Sequence, residues 1–291
     1  MATGAEWIEG ARPRTLPAAI APVLAGSGVA AFHDAFNLLL ASLAALVALT
    51  LQVGVNFAND YSDGIRGTDA QRVGPLRLVG SGAASPATVR TAALACFGLA
   101  GLTGLTIVVL TGTWWLLAVG ALAILAAWFY TGGPRPYGYL GLGEVFVFVF
   151  FGLVAVAGTV QIQLGWVPAA GWWAAIAIGA LACILLVANN LRDLAGDMAV
   201  GKRTLATRLG DRGTRWFFVA LTVVATFGVL AVAATSTGWA LLGLAMLGLL
   251  GPACARVVGG ANGRDLIPVL RNAGLSELLC ALGMLIGLAI G

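Results

Sequence analysis

With 291 residues, 60% of them hydrophobic and 10% charged, the chain is far poorer in charge than the roughly 25% of an ordinary soluble domain. That balance excludes a soluble enzyme or a nucleic-acid-binding module and makes the lipid bilayer the chain's first partner. One histidine and four cysteines without a CxxC pair argue against a histidine-based triad and a zinc or haem centre, leaving oxygen ligands, and therefore Mg²⁺, for any metal.

Residues 1–15 carry Glu6, Glu9, Arg12 and Arg14, and the apolar run behind them continues to Phe32 without a small-residue cleavage site. The first helix is therefore expected to stay in the mature protein. After this run, 15–32, others follow at 37–57, 88–111, 114–130, 142–163, 170–190, 215–236, 239–257 and 273–290. At about 20 residues per crossing, they predict an all-α membrane protein of about nine transmembrane helices around a central cavity, one domain over residues 1–291. Their glycine and alanine content suits close helix packing in lipid. With the N-terminus inside, loops 58–87, 131–141, 191–214 and 258–272 share that side, and all sixteen Lys and Arg lie there or at its boundary. The opposite loops hold His33, Asp34 and uncharged stretches such as Gly112-Thr113 and Gly165-Trp166. By the positive-inside rule the charged face is cytoplasmic, in a cell membrane.

The second run leads into Asn56-Phe57-Ala58-Asn59-Asp60-Tyr61-Ser62-Asp63, and the sixth into Asn189-Asn190-Leu191-Arg192-Asp193-Leu194-Ala195-Gly196-Asp197. On helices, Asn56, Asp60 and Asp63 share one face, as do Asn189, Asp193 and Asp197. Four crossings separate the two stripes, so both reach the same side of the membrane and can meet across the cavity. Capping would explain single Asn or Asp residues; two carboxylate stripes at a membrane boundary call for partners or cations. Mg²⁺ takes one or two protein carboxylates and completes its shell with water and phosphate oxygens, so the stripes suit a diphosphate held through Mg²⁺. Arg66, Arg72 and Arg77 follow the first stripe; Arg192, Lys202, Arg203 and Arg208 attend the second, where Lys202 and Arg203 are best placed to neutralise a departing diphosphate.

No GxxxxGK[ST] loop is present to cradle a nucleoside triphosphate. A lipid diphosphate fits better, with its tail between apolar helices and its head group at the boundary. If the tail is allylic, the cation left behind would be stabilised by aromatic faces. Trp128, Phe129, Tyr130, Tyr137 and Tyr139 stand near loop 131–141, where an interfacial aromatic belt would also put them. Carboxylates in membranes line ion paths too, but these occupy one side only, and no path across is written.

Asn59-Asp60-x-x-Asp63 and Asp193-x-x-x-Asp197 resemble the motifs of the UbiA superfamily of intramembrane prenyltransferases, and the likeness covers nearly the whole chain. More narrowly, residues 11–26, 56–82, 141–152, 189–210 and 266–271 look like the polyprenyltransferases of menaquinone synthesis that act on 1,4-dihydroxy-2-naphthoate. The resemblance implies transfer of a polyprenyl group from polyprenyl diphosphate to 1,4-dihydroxy-2-naphthoate with loss of CO₂, and Mg²⁺ as cofactor; another aromatic acceptor, such as 4-hydroxybenzoate or homogentisate, is the alternative. It further implies Asp60, Asp63, Asp193 and Asp197 as catalytic residues, which together with Asn56 would hold the metal. Asn56, Asn59, Asn189, Arg72, Lys202, Arg203 and Tyr130 would bind substrate. Where many superfamily members carry a further Asp, this chain has Gly67, with Asp69 two residues on. Arg12 and Arg14 stand where an acceptor carboxylate or a lipid head group would be met. Glu144, a lone charge, could orient a substrate hydroxyl or pair with Arg135.

Overall fold

The structure, a computed structural model, describes residues 2–67, 76–199 and 201–291, and among these every regular element is helical. A short α1 (Gly4–Gly10) precedes α2 (Leu16–Phe32), α3 (Leu38–Arg66), α4 (Pro86–Thr111) and α5 (Leu116–Phe129). Next, α6 (Gly143–Val147), a π turn (Phe148–Val154) and α7 (Ala155–Leu164) form one continuous span. They are followed by α8 (Ala169–Ala199), α9 (Leu205–Thr235), a 3₁₀ segment (Gly238–Met246) running into α10 (Leu247–Val258), and α11 (Ile267–Ile290). Among the described residues eight segments are long and apolar enough to cross a membrane, and the chain is a multi-pass membrane protein. The remaining predicted run is α5, whose 14 residues reach about 21 Å against a hydrocarbon core of about 30 Å.

Local sequence sets the helix ends. Asn37 accepts from the N–H of Leu40 and Ser85 from that of Thr88, capping α3 and α4, while Thr204 caps α9 through Thr207. At the other end of α3, Gly67 takes φ 71°, a left-handed conformation that stops the helix cheaply only in glycine. Two helices run well past the apolar stretches that predicted them: α3 continues from 57 to Arg66 and α8 from 190 to Ala199. The polar stripes that follow are spaced at i,i+3 and i,i+4, so the helical hydrogen-bond ladder carries on after hydrophobicity ends. The span predicted from 215 begins at Leu205, with a bend at Gly210, where φ is 69° and ψ 178°.

The main core gathers α2, α8, α9, α10 and α11 around α8, whose Ala174, Ala177, Ile178 and Leu181 are fully buried. Small residues bring backbones together here: a Cβ on Gly152 would lie 2.6 Å from the carbonyl oxygen of Ala175, so the π turn packs on α8 at a distance only glycine permits. A second, smaller core joins α3 and α4 through Phe57, Val89, Ala93 and Phe97, with Leu78 inserted from the loop. Between the two cores lies a cavity of about 2010 Å³.

Candidate active site

The second predicted stripe faces this cavity, whereas the first reaches it through Asn56 and Asn59 alone, and its carboxylates Asp60 and Asp63 are buried behind the lining. Asn189, Asp193 and Asp197 of α8 line it, as do Asn56 and Asn59 of α3. Asp193 is held by Arg192, whose Nε and Nη2 each donate to one of its oxygens at 2.7 Å. Asp197 lies 3.6 Å from Lys202 Nζ. The second stripe thus presents carboxylates already flanked by cations, on the helix that the core holds most firmly.

The first stripe is knitted into the surrounding segments. Asn56 donates through Nδ2 to the carbonyl of Ala11 at 2.9 Å and to Thr15 Oγ1 at 3.1 Å. Asn59 accepts from the hydroxyl of Thr131 at 2.7 Å. Asp60, only 1% exposed, accepts from the backbone N–H groups of Leu78 at 2.6 Å and Val79 at 3.1 Å. Asp63 accepts from the Tyr139 hydroxyl at 2.6 Å and lies 3.5 Å from Arg77 Nη2. The reason is physical: Leu78 is fully buried, and buried N–H groups need acceptors. Each oxygen of Asp60 accepts one of these bonds, so lone pairs remain for a further partner.

Tyr139 joins the two stripes, because the ring whose hydroxyl meets Asp63 also lies beneath Lys202 Nζ, 4.8 Å from its centroid. Arg66 closes the same corner by donating to the carbonyls of Thr131 and Gly133. Arg203 enters through its backbone, donating to the carbonyl of Tyr139 at 3.3 Å. Arg72 and Asp69 lie outside the described residues.

Tyr130 and Tyr137 line the cavity, with ring centroids 5.5 Å apart in an edge-to-face pair. Tyr137 stacks on Phe146 at 4.0 Å and donates its hydroxyl to the carbonyl of Ala126 at 2.8 Å. Burial, with the neighbouring Tyr130 adding to it, pushes that hydroxyl's pKa well above the usual tyrosine value, so Tyr137 serves here as a neutral donor. Of the other predicted aromatics, Trp128 packs against Tyr61 and Phe129 is exposed. Phe146, Phe150 and Phe151 extend the aromatic wall; they sit inside an apolar run, where nothing in the sequence marks them.

Several cavity residues had no assigned role at the sequence level: Gln52, which donates to Thr15 Oγ1 at 3.0 Å, and Arg264 and Arg271 at the start of the last span. Arg12 and Arg14 also line the cavity, and Arg12 adopts φ 56°, an uncommon conformation for a side-chain-bearing residue. Glu144 is 4% exposed and accepts from Asn190 Nδ2 at 2.9 Å, rather than pairing with Arg135. Among the described residues no three His, Cys, Asp or Glu side chains converge into a ready metal cage. The donors that line the cavity are hard oxygens from Asn and Asp, the chemistry of Mg²⁺ shared between a protein and a phosphate.

Residues 19–265 match the UbiA prenyltransferase family. The chain belongs to that family. Across its whole length it is 53% identical to 1,4-dihydroxy-2-naphthoate octaprenyltransferase of Mycobacterium tuberculosis, covering 99% of that protein. The enzyme of the same name from Haemophilus influenzae is 40% identical, over 98% of this chain and 96% of that one. The fold recurs in a UbiA homolog from Archaeoglobus fulgidus bound to GPP and Mg²⁺, with a TM-score of 0.71, 98% of this chain and 100% of that one covered, and 15% identity. A UbiA homolog from Aeropyrum pernix gives the same TM-score over 92% and 97%.

Proposed function

We propose that this UbiA-family protein transfers a polyprenyl group from polyprenyl diphosphate to 1,4-dihydroxy-2-naphthoate, releasing diphosphate and CO₂ and leaving demethylmenaquinol. The observation that supports this acceptor is 53% identity over the entire chain to the M. tuberculosis enzyme of that name. In this reading the donor's head group lies among Asn189, Asp193, Asp197 and Lys202, and its tail occupies the apolar part of the same cavity. Mg²⁺ bound with the diphosphate would neutralise charge on the leaving group. Asp193 and Asp197 would hold it from α8 and Asn56 from α3, with Asp60 and Asp63 completing the set from the same stripe of α3.

The chain's own residues divide the remaining work. Lys202 takes up charge on the diphosphate as the allylic C–O bond breaks and its electron pair leaves with oxygen. Tyr130, Tyr137 and Phe146 offer π faces to the cation, and the apolar walls keep water from it. The ring carbon bearing the carboxylate attacks; the bond to CO₂ then breaks, and its electron pair restores the aromatic ring. Arg12 and Arg14, which line the cavity from the segment before α2, would orient the acceptor's carboxylate. We further propose that the charged face is cytoplasmic.

Purified protein incubated with octaprenyl diphosphate, 1,4-dihydroxy-2-naphthoate and Mg²⁺ is expected to form the prenylated quinol, and EDTA or Asp193→Ala to abolish it. Absence of product under these conditions, with 4-hydroxybenzoate prenylated instead, would overturn the acceptor assignment.

A further inference from the structure

The cavity continues far beyond its charged mouth. It is lined by α5 from Leu116 to Ala127, about 17 Å of helix at 1.5 Å per residue, and faced by α4 as far as Val108 and by α7 as far as Ile162. This arm leads away from the carboxylates toward the opposite membrane surface. One of its walls is thin: α5 has a single buried residue, Ala126.

Four glycines touch the arm: Gly101 and Gly104 of α4, Gly120 of α5 and Gly158 of α7. Measured from the helix ends remote from the charged mouth, at Thr111, Leu116 and Leu164, Gly104, Gly120 and Gly158 lie about 6–11 Å in, so each of the three helices carries a glycine in its distal turns. Glycine weakens a helix relative to alanine and needs a reason to be there. Close helix packing is the reason at Gly152, but a Cβ at Gly104, Gly120 or Gly158 would meet no neighbour within 4 Å. What their missing side chains preserve is open space.

We propose that Gly104, Gly120 and Gly158 form a collar through which the distal isoprene units of the donor pass, and that this collar sets the longest prenyl chain the protein accepts. The inference rests on the donor being a polyprenyl diphosphate. A side chain at the collar leaves the head group's surroundings untouched and obstructs only tails long enough to reach it, so the collar discriminates donors by length.

The test compares octaprenyl and geranyl diphosphate as donors for wild type, Gly120→Ala, Gly120→Leu and Gly158→Leu, each checked for folding by its melting temperature in detergent. The ratio of kcat/KM for the long donor to that for the short one is expected to fall at least about tenfold in the leucine variants, as for a few methylenes denied space in an apolar pocket. In Gly120→Ala, the mildest change, it should fall less. An unchanged ratio in the folded variants, or an equal loss for both donors, would overturn the collar. Displacement binding of the two diphosphates to the same proteins separates this inference from the acceptor assignment. If wild type binds both donors without forming product, the acceptor is wrong and the collar is judged on the binding ratio; if wild type binds neither, the donor reading and the collar fall together.

Discussion

Asp60 and Asp193 look equivalent as letters in two similar motifs, yet they stand in different physical situations. Asp193 is partly open to the cavity and pairs with Arg192, which lines the same cavity, so losing its carboxylate removes a ligand for the head group and leaves a guanidinium that water in the cavity can solvate. Asp60 is buried and satisfies two backbone N–H groups at Leu78 and Val79, so losing it also strands donors, at about 1–3 kcal/mol each. Both Asp60→Ala and Asp193→Ala are expected to lose prenyl transfer, but only Asp60→Ala should melt at a clearly lower temperature in detergent. Equal melting temperatures would show that the anchoring of residues 78 and 79 contributes nothing to the fold. Loss of activity alone therefore does not assign a role to either aspartate; melting and activity have to be read together.

At the scale of elements, the short 3₁₀ turn Tyr137–Leu140 links structures far apart in sequence. It places Tyr139 between Asp63 at the end of α3 and Lys202 just beyond α8. Tyr139→Phe keeps the ring under Lys202 and deletes one hydrogen bond to a carboxylate, worth about 1.5–3 kcal/mol. If that bond poises Asp63 for the reaction, kcat/KM should drop by roughly ten- to a hundredfold, and Tyr139→Ala, which also removes the cation–π contact, should drop further. Wild-type kinetics in Tyr139→Phe would make the turn a bystander. Hydropathy disclosed the apolar runs and their order because each crossing needs its own apolar stretch, and the i,i+4 stripes disclosed Asn189, Asp193 and Asp197 because helical spacing is local. What sequence could not disclose is tertiary: that Asp60 binds the loop, that Glu144 meets Asn190, that Phe146 and Phe150 wall the cavity, and that one helix section is a π turn. The apolar boundaries at 57 and 190 fall short of the helix ends for a related reason: apolar content measures contact with lipid, while hydrogen bonding carries α3 and α8 on into polar sequence.

For the whole molecule, the arrangement has a direction. Every Lys and Arg belongs to the predicted inner loops or their borders, and the carboxylate stripes, Tyr139 and Lys202 sit at that same end of the helices, while the loop containing Trp166 lies at the other. Positive residues next to crossings resist translocation, so the charged mouth is expected to face the cytoplasm and to receive its water-soluble acceptor from there. Single cysteines report this directly. The native thiols are manageable, because Cys183 and Cys280 are buried and Cys96 and Cys254 are half-buried, and all four can be replaced by alanine. In that background a cysteine in place of exposed Trp166 should react with a membrane-impermeant maleimide on intact cells, and one in place of exposed Asn262 only after permeabilisation. The reverse pattern would turn the mouth outward. The acceptor would then have to reach the site from outside the cell.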